Sequence, residues 1–148
     1  TSWAACAASH IQRILVKIDV HSRAQAVAAA LDTLMRVRQL YRDPDLNLTR
    51  IARKMNLPAR RVSTAVNRIH GMSVSQYVND FRIRAACEQL IGTDHPITQV
   101  MFDSGFISKS NFNREFARMN GESPTQFRKR RIPRESGGAA SNVIFMSP

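Results

Sequence analysis

The strongest restriction on this chain is an internal repeat. Leu48, Ile51, Ala52, Asn56 and Leu57 recur 49 positions later as Ile97, Val100, Met101, Gly105 and Phe106. One inserted residue then moves the offset to 50. Val62, Val66, Ile69, Gly71, Ser73, Gln76 and Tyr77 recur as Phe112, Phe116, Met119, Gly121, Ser123, Gln126 and Phe127. Two copies are too few for a solenoid, whose stacked repeats share one continuous core. The pattern reads as a small module present twice.

Each copy has the punctuation of helix, tight turn and helix. In the first, Leu48, Ile51, Ala52 and Met55 are spaced for one helical face. Asn56 follows, and Asn tolerates the left-handed conformation at a helix end. Pro58, suited to a first helical turn, opens a second helix that carries Val62, Ala65, Val66 and Ile69 inward as far as Gly71. In the second copy Pro96 stands near a helix start, with Ile97, Val100 and Met101 inward. Gly105 turns the chain, Ser108 is the expected N-cap, and Phe112, Phe116 and Met119 face the core until Gly121. Between the copies, Ser73 and Gln76 form a capping box for a long helix over 73–92, with Val74, Tyr77, Val78, Phe81 and Ala85 on one face. Ser123, Pro124 and Gln126 repeat the box and open a last short helix over 123–131. Residues 132–148 have no usable periodicity and are expected to be disordered.

Charge follows the repeat. The 148-residue chain carries a formal net charge of +11, which calls for a polyanionic partner, nucleic acid first and an anionic membrane second. Residues 49–71 hold Arg50, Arg53, Lys54, Arg60, Arg61 and Arg68 with no acid, net +6. Residues 106–131 are net +5, and the spacer 72–105 is net −2. A basic tail or a generally solubilising surface would not divide its charge in this way, and a membrane surface would not require the duplication. No apolar run approaches the roughly 18–20 residues of a membrane span. Cys6 and Cys87 are far apart with no Cys or His at ligand spacing, so neither a disulfide framework nor a zinc site is expected, and a reducing compartment fits. His10, His21, His70 and His95 are scattered, and no cofactor is called for. Thr1 in place of an initiator Met reads as a fragment or processed product, with no basic-then-apolar leader in view.

Residues from about 36 to 131 resemble the AraC/XylS-type DNA-binding domain. The most specific stretch is I97-T-Q-V-M-F-D-S-G-F-I-S-K-S-N-F-N-R-E-F-A-R-M-N-G-E-S-P-T-Q-F-R128, which resembles that family's second helix-turn-helix and its G-x-S/T-P-x-x-F/Y-R closure. The resemblance implies an all-α fold of seven helices: two helix-turn-helix units (about 48–71 and 96–121) joined by the long connector, preceded by extra N-terminal helices over 1–35. A helix over 73–92 is roughly 30 Å long at about 1.5 Å per residue. Successive major-groove segments on one side of B-DNA lie about 34 Å apart. One chain can therefore address both, without a dimer and without a palindromic site.

Carried over by position, the base-facing residues of the first recognition helix are Arg60, Ser63 and Thr64, with Arg61, Asn67 and Arg68 as phosphate or flanking contacts. Those of the second are Lys109, Ser110, Asn113 and Arg114. Arg and Lys donate to guanine O6 and N7, Asn pairs with adenine, and Ser or Thr suits a base edge or a phosphate. Two positions depart from the family's pattern. Pro58 stands where a capping Ser is common, and Met101 where Ala usually faces the partner helix, which implies a slightly splayed second unit. Phe106, Phe112, Phe116 and Phe127 read as core, and Cys87 as a buried or half-buried small hydrophobe.

Residues 9–31 resemble the closing half of a LuxR-type helix-turn-helix domain, with Ser22 and Gln25 as the capping box of its last helix. The reading is of a truncated remnant that does not recognise DNA alone. These features imply a cytoplasmic, nucleoid-associated regulator of transcription that binds double-stranded DNA at a promoter or operator, with RNA polymerase as a further partner and no membrane. Two other functions follow from the same features: a truncated interaction protein pairing through residues 9–40, or the DNA-binding part of a repair enzyme. No Pro-Cys-His nucleophile motif is present in the sequence, so the chain itself is read as no enzyme.

Overall fold

The computed structural model describes residues 2–131, with side chains from Gln12 onward. The expected disorder of 132–148 lies outside them, as do the side chains of Cys6 and His10. Seven α-helices follow one another among the described residues: α1 Ser2–Arg38, α2 Leu48–Met55, α3 Ala59–His70, α4 Val74–Gly92, α5 Ile97–Asp103, α6 Lys109–Asn120 and α7 Pro124–Arg131. A 3-10 turn, Leu40–Arg42, separates α1 from α2.

The turn chemistry repeats as the sequence requires. Asn56 takes φ 52° and Gly105 φ 94° at the equivalent turns. Leu57 N–H reaches back to the Ala52 carbonyl (3.0 Å), and Phe106 N–H to that of Met101 (3.1 Å). Gly71 and Gly121 close α3 and α6 in the left-handed region. Ser73 and Gln76 cap α4 reciprocally, and Ser123 and Gln126 do the same before α7.

The N-terminal segment differs from expectation. It is one helix, not several, and it runs through Ser22 without a break. Ser22 and Gln25 are exposed mid-helix residues, and Gln25 Nε2 lies 3.3 Å from His21 Nε2 instead of capping. No Gly or Pro occurs before Pro44, and Ala24, Ala26, Ala28, Ala29 and Ala30 favour helix, so nothing in 2–38 stops it. The boundary drawn at 35/36 therefore falls inside α1. Ala24, Ala28, Leu31 and Met35 are buried, the last two completely.

Two cores result. The first joins Leu31 and Met35 of α1 with Ile51, Ala52, Val62 and Val66. The second gathers Val100, Met101, Phe106, Phe112, Phe116 and Phe127. Its rings meet edge to face in a chain, with centroids 5.2 Å apart for Phe106–Phe112, 5.7 Å for Phe112–Phe116 and 5.4 Å for Phe116–Phe127. Met101 is accommodated inside this core.

Connector α4 belongs to both cores. Val74, Tyr77, Val78, Phe81 and Ala85 enter the first, and Ile83, Ala86 and Leu90 the second. Between them Arg82 is buried. Its Nε donates to the Tyr41 carbonyl (2.8 Å), its Nη2 to the Asp43 carbonyl (2.8 Å) and its Nη1 to Asn79 Oδ1 (3.3 Å). Its guanidinium lies 5.7 Å from the Phe106 ring centroid. Burial lowers the Arg82 pKa from its ordinary value, and Asp43 opposes that shift.

Gly105 packs against the same spot. A Cβ there would stand 2.3 Å from the Tyr41 carbonyl oxygen and 3.0 Å from Arg82 Nε. At Gly71 and Gly121 a Cβ would meet nothing within 4 Å. Gly105→Ala should therefore cost about 2–5 kcal/mol, strain plus overpacking. Gly71→Ala and Gly121→Ala should cost about 1–2 kcal/mol each, from backbone strain alone. Urea unfolding of the three variants checks the order.

Candidate nucleic-acid interface

The two second helices of the repeat, α3 and α6, present matching surfaces. On α3, Val62, Ala65 and Val66 are buried, and the opposite stripe carries Arg60, Thr64 and Asn67, all exposed. On α6, Phe112, Glu115 and Phe116 are buried, and the opposite stripe carries Ser110, Asn113, Arg114 and Ala117. The offset of 50 superposes Arg60 on Ser110 and Thr64 on Arg114. Both surfaces are polar, convex and helical, the shape and chemistry that a major groove admits.

Not every expected residue lies on a stripe. Ser63 is half-buried, and its hydroxyl donates to the Arg60 carbonyl of its own helix (3.1 Å). Lys109, the first residue of α6, is exposed to one side of the Ser110–Arg114 line. Arg61 and Arg68 stand on the flank of α3 that faces α1. With Arg60 and Thr64 of the stripe, they line a groove of about 690 Å³ whose other wall is α1, at Val20, Arg23, Ala24 and Val27. Arg68 also lines a second hollow with Val16, Lys17 and His21 of α1. Reading 1–35 as a broken remnant hid this neighbourhood, because it gave no reason to expect α1 beside α3.

The two helices start differently. Ser108 Oγ accepts from the Asn111 N–H (3.4 Å), whereas Pro58 offers α3 no side-chain cap.

The cations also divide by partner. Arg50 is paired with Asp43 (3.1 Å) and lies 3.8 Å from Asp45, so it braces the start of α2. Arg128 Nη2 donates to the His95 carbonyl (2.6 Å), and Arg130 pairs with Glu122. Arg118 Nε donates to Glu115 (2.9 Å), and its Nη2 donates to Asp80 of α4. Hydrogen bonds to Asp80 and then Glu115 hold the Arg118 pKa above its ordinary value. Arg53, Lys54, Arg60, Arg61, Arg68 and Lys109 have no ion-pair partner among the described residues. Charge counting could not separate these classes, because Asp43 and Asp80 lie outside the basic blocks in sequence and a count does not say which cation Glu115 or Glu122 holds.

A family model described as a helix-turn-helix domain matches residues 51–130, more than half of the chain. The chain belongs to the AraC-type helix-turn-helix family. It is 30% identical over 112 residues to the ornithine utilization regulator of Pseudomonas aeruginosa, covering 71% of this chain and 33% of that protein. It is 24% identical over 100 residues to the regulatory protein SoxS of Salmonella typhimurium, covering 68% of this chain and 94% of SoxS. The chain thus spans about a third of the first relative and nearly all of the second. Among solved structures, the C-terminal domain of AraT, a response regulator from Geobacillus stearothermophilus, matches with a TM-score of 0.61 at 22% identity, covering 83% of this chain and 93% of that one. The DNA-binding domain of AdpA, solved in complex with a target DNA, matches with a TM-score of 0.60 at 22% identity, covering 78% and 97%. These neighbours share the all-helical fold of this AraC-type chain.

Among the described residues no helix is long and apolar enough to cross a membrane.

Removing Arg118 should destabilise the second unit. Arg118→Ala leaves Asp80 without its cation and Glu115 with only the exposed Arg114 at 3.5 Å. With allowance for solvent at this partly exposed arginine, the cost should be about 1–2 kcal/mol in urea unfolding. Arg114→Ala, on a side chain 73% exposed, should change stability by less than about 0.5 kcal/mol.

Proposed function

We propose that this chain is a sequence-specific regulator of transcription that binds double-stranded DNA at a promoter or operator, with α3 and α6 as its two recognition helices. The reading is carried by one observation: two helices in the same repeat register present exposed polar stripes from a single frame. Family membership supports it, as do the relatives' names as regulators and the AdpA domain's complex with DNA.

In this reading Arg60, Thr64 and Asn67 face bases from α3, and Ser110, Asn113 and Arg114 do so from α6. Arg61, Arg68, Arg53 and Lys109 take phosphates on the flanks, where charge sets affinity but carries no sequence information. The hydroxyl of Ser63, turned to its own helix, acts as a flanking group. Because one chain carries both recognition helices, a monomer suffices for a site of two boxes that need not be palindromic. Such a regulator works where the DNA is, in the cytoplasm, and RNA polymerase is the machinery whose recruitment or exclusion it would control.

Selection of the purified chain on a random duplex library should enrich two short boxes about one helical turn apart. Failure to enrich any motif at moderate salt would overturn the reading. On the enriched duplex, affinity should fall steeply with salt as counterions are released. Arg53→Ala should weaken binding to matched and random duplexes alike and shallow the salt slope by about one. Arg114→Ala should relax one position of one box. Equal losses on both duplexes for both variants would contradict these roles.

A further inference from the structure

We infer that Glu115 is a positioning residue that, braced by Arg118 and Asp80, holds Arg114 ready to read a base, making the second unit the more discriminating of the two. The inference rests on the DNA-binding reading above.

Glu115 is a carboxylate on the buried side of α6, with Phe112 and Phe116, and only 7% exposed. Its Oε2 accepts from Arg118 Nε at 2.9 Å, and its Oε1 lies 3.5 Å from Arg114 Nε. Arg118 is anchored in turn by Asp80 on the connector helix. Asn111 Oδ1 accepts from Arg114 Nη2 at 2.6 Å. The Arg114 guanidinium thus donates from Nη2 to Asn111 and forms an ion pair with Glu115 at Nε, while Nη1 has no partner among the described residues and the side chain stays open to solvent. Two-point contact with guanine O6 and N7 requires a planar fork in a fixed orientation. A fork already oriented loses less conformational freedom on binding.

The first unit lacks this device. At the offset of 50, Glu115 corresponds to Ala65, Arg114 to Thr64 and Arg118 to Arg68. No carboxylate lies within ion-pair distance of Arg60, Arg61 or Arg68 among the described residues. Untethered guanidiniums follow phosphates on any sequence. The asymmetry therefore assigns general affinity mainly to α3 and discrimination mainly to α6.

The test compares wild type, Glu115→Gln, Glu115→Asp, Arg114→Ala and the Glu115→Gln/Arg114→Ala double variant by fluorescence anisotropy at fixed salt. The probes are the duplex enriched by the wild-type chain, its single-base substitutions and a random duplex of equal length. Glu115→Gln should lower the ratio of matched to random affinity about tenfold. Affinity for random duplex should rise slightly, because a negative charge is removed. The loss should fall on the same base position that Arg114→Ala relaxes, with no further loss in the double variant. Glu115→Asp should restore part of it.

An unchanged ratio, or losses at a different position from Arg114→Ala, overturns the inference while leaving the DNA-binding reading intact. If the wild type enriches no motif, that reading fails and this inference with it. Should Glu115→Gln melt by circular dichroism, Asp80→Asn replaces it. It must relax the same position, and its failure to do so is equally decisive.

Discussion

The Arg82 guanidinium, seated between the carbonyls of Tyr41 and Asp43 and against the Phe106 ring, fixes how the two halves of the chain stand to one another. Burying a charge is costly, and the cost is offset here by charge-assisted hydrogen bonds to two carbonyls. Those carbonyls belong to the segment leading into the first unit, whereas Phe106 and the adjoining Gly105 belong to the turn of the second. The connector is thus locked at its middle to both units, and not only packed against each at its ends. Gly105 completes the arrangement by allowing the backbone of that turn to meet the Tyr41 carbonyl directly. Relative motion of α3 and α6 would break these contacts together.

On that frame a duplicated module carries unequal chemistry. The turns, helix-closing glycines and core positions of the two copies correspond closely, since those are what each fold unit needs. Surface chemistry has diverged. The second copy has a carboxylate, Glu115, where the first has Ala65, and the connector supplies Asp80 to complete its network. The first copy instead has α1 along its flank, with a groove between Val20, Val27 and Arg68. The second unit carries a carboxylate network that reaches the connector, and the first is flanked by a neighbouring helix.

Much of the architecture was legible in the sequence, because its signals are local. Asn56, Gly105, the Ser73 and Ser123 boxes and the apolar periodicity of α3 and α6 each act over a few residues. Family resemblance supplied the order of the elements and the surface stripes. What stayed hidden depends on contacts between distant positions. Arg82 is separated from Tyr41 by 41 residues, and Arg118 from Asp80 by 38. In the sequence each looks like one more cation, although both are structural. The continuity of α1 was missed for a different reason: a resemblance suggested a break at Ser22 where helix propensity allows none.

The central claim is that one rigid frame holds two recognition helices at a single spacing. Its most direct test is the affinity of the chain for a duplex carrying both selected boxes, compared with the same duplex after 5 base pairs are inserted between them. A half-turn insertion puts the second box on the opposite side of the double helix. The account predicts that binding falls to the level of a duplex with only one box. Affinity unchanged by the insertion would show that the two units move independently, or that only one of them reads DNA.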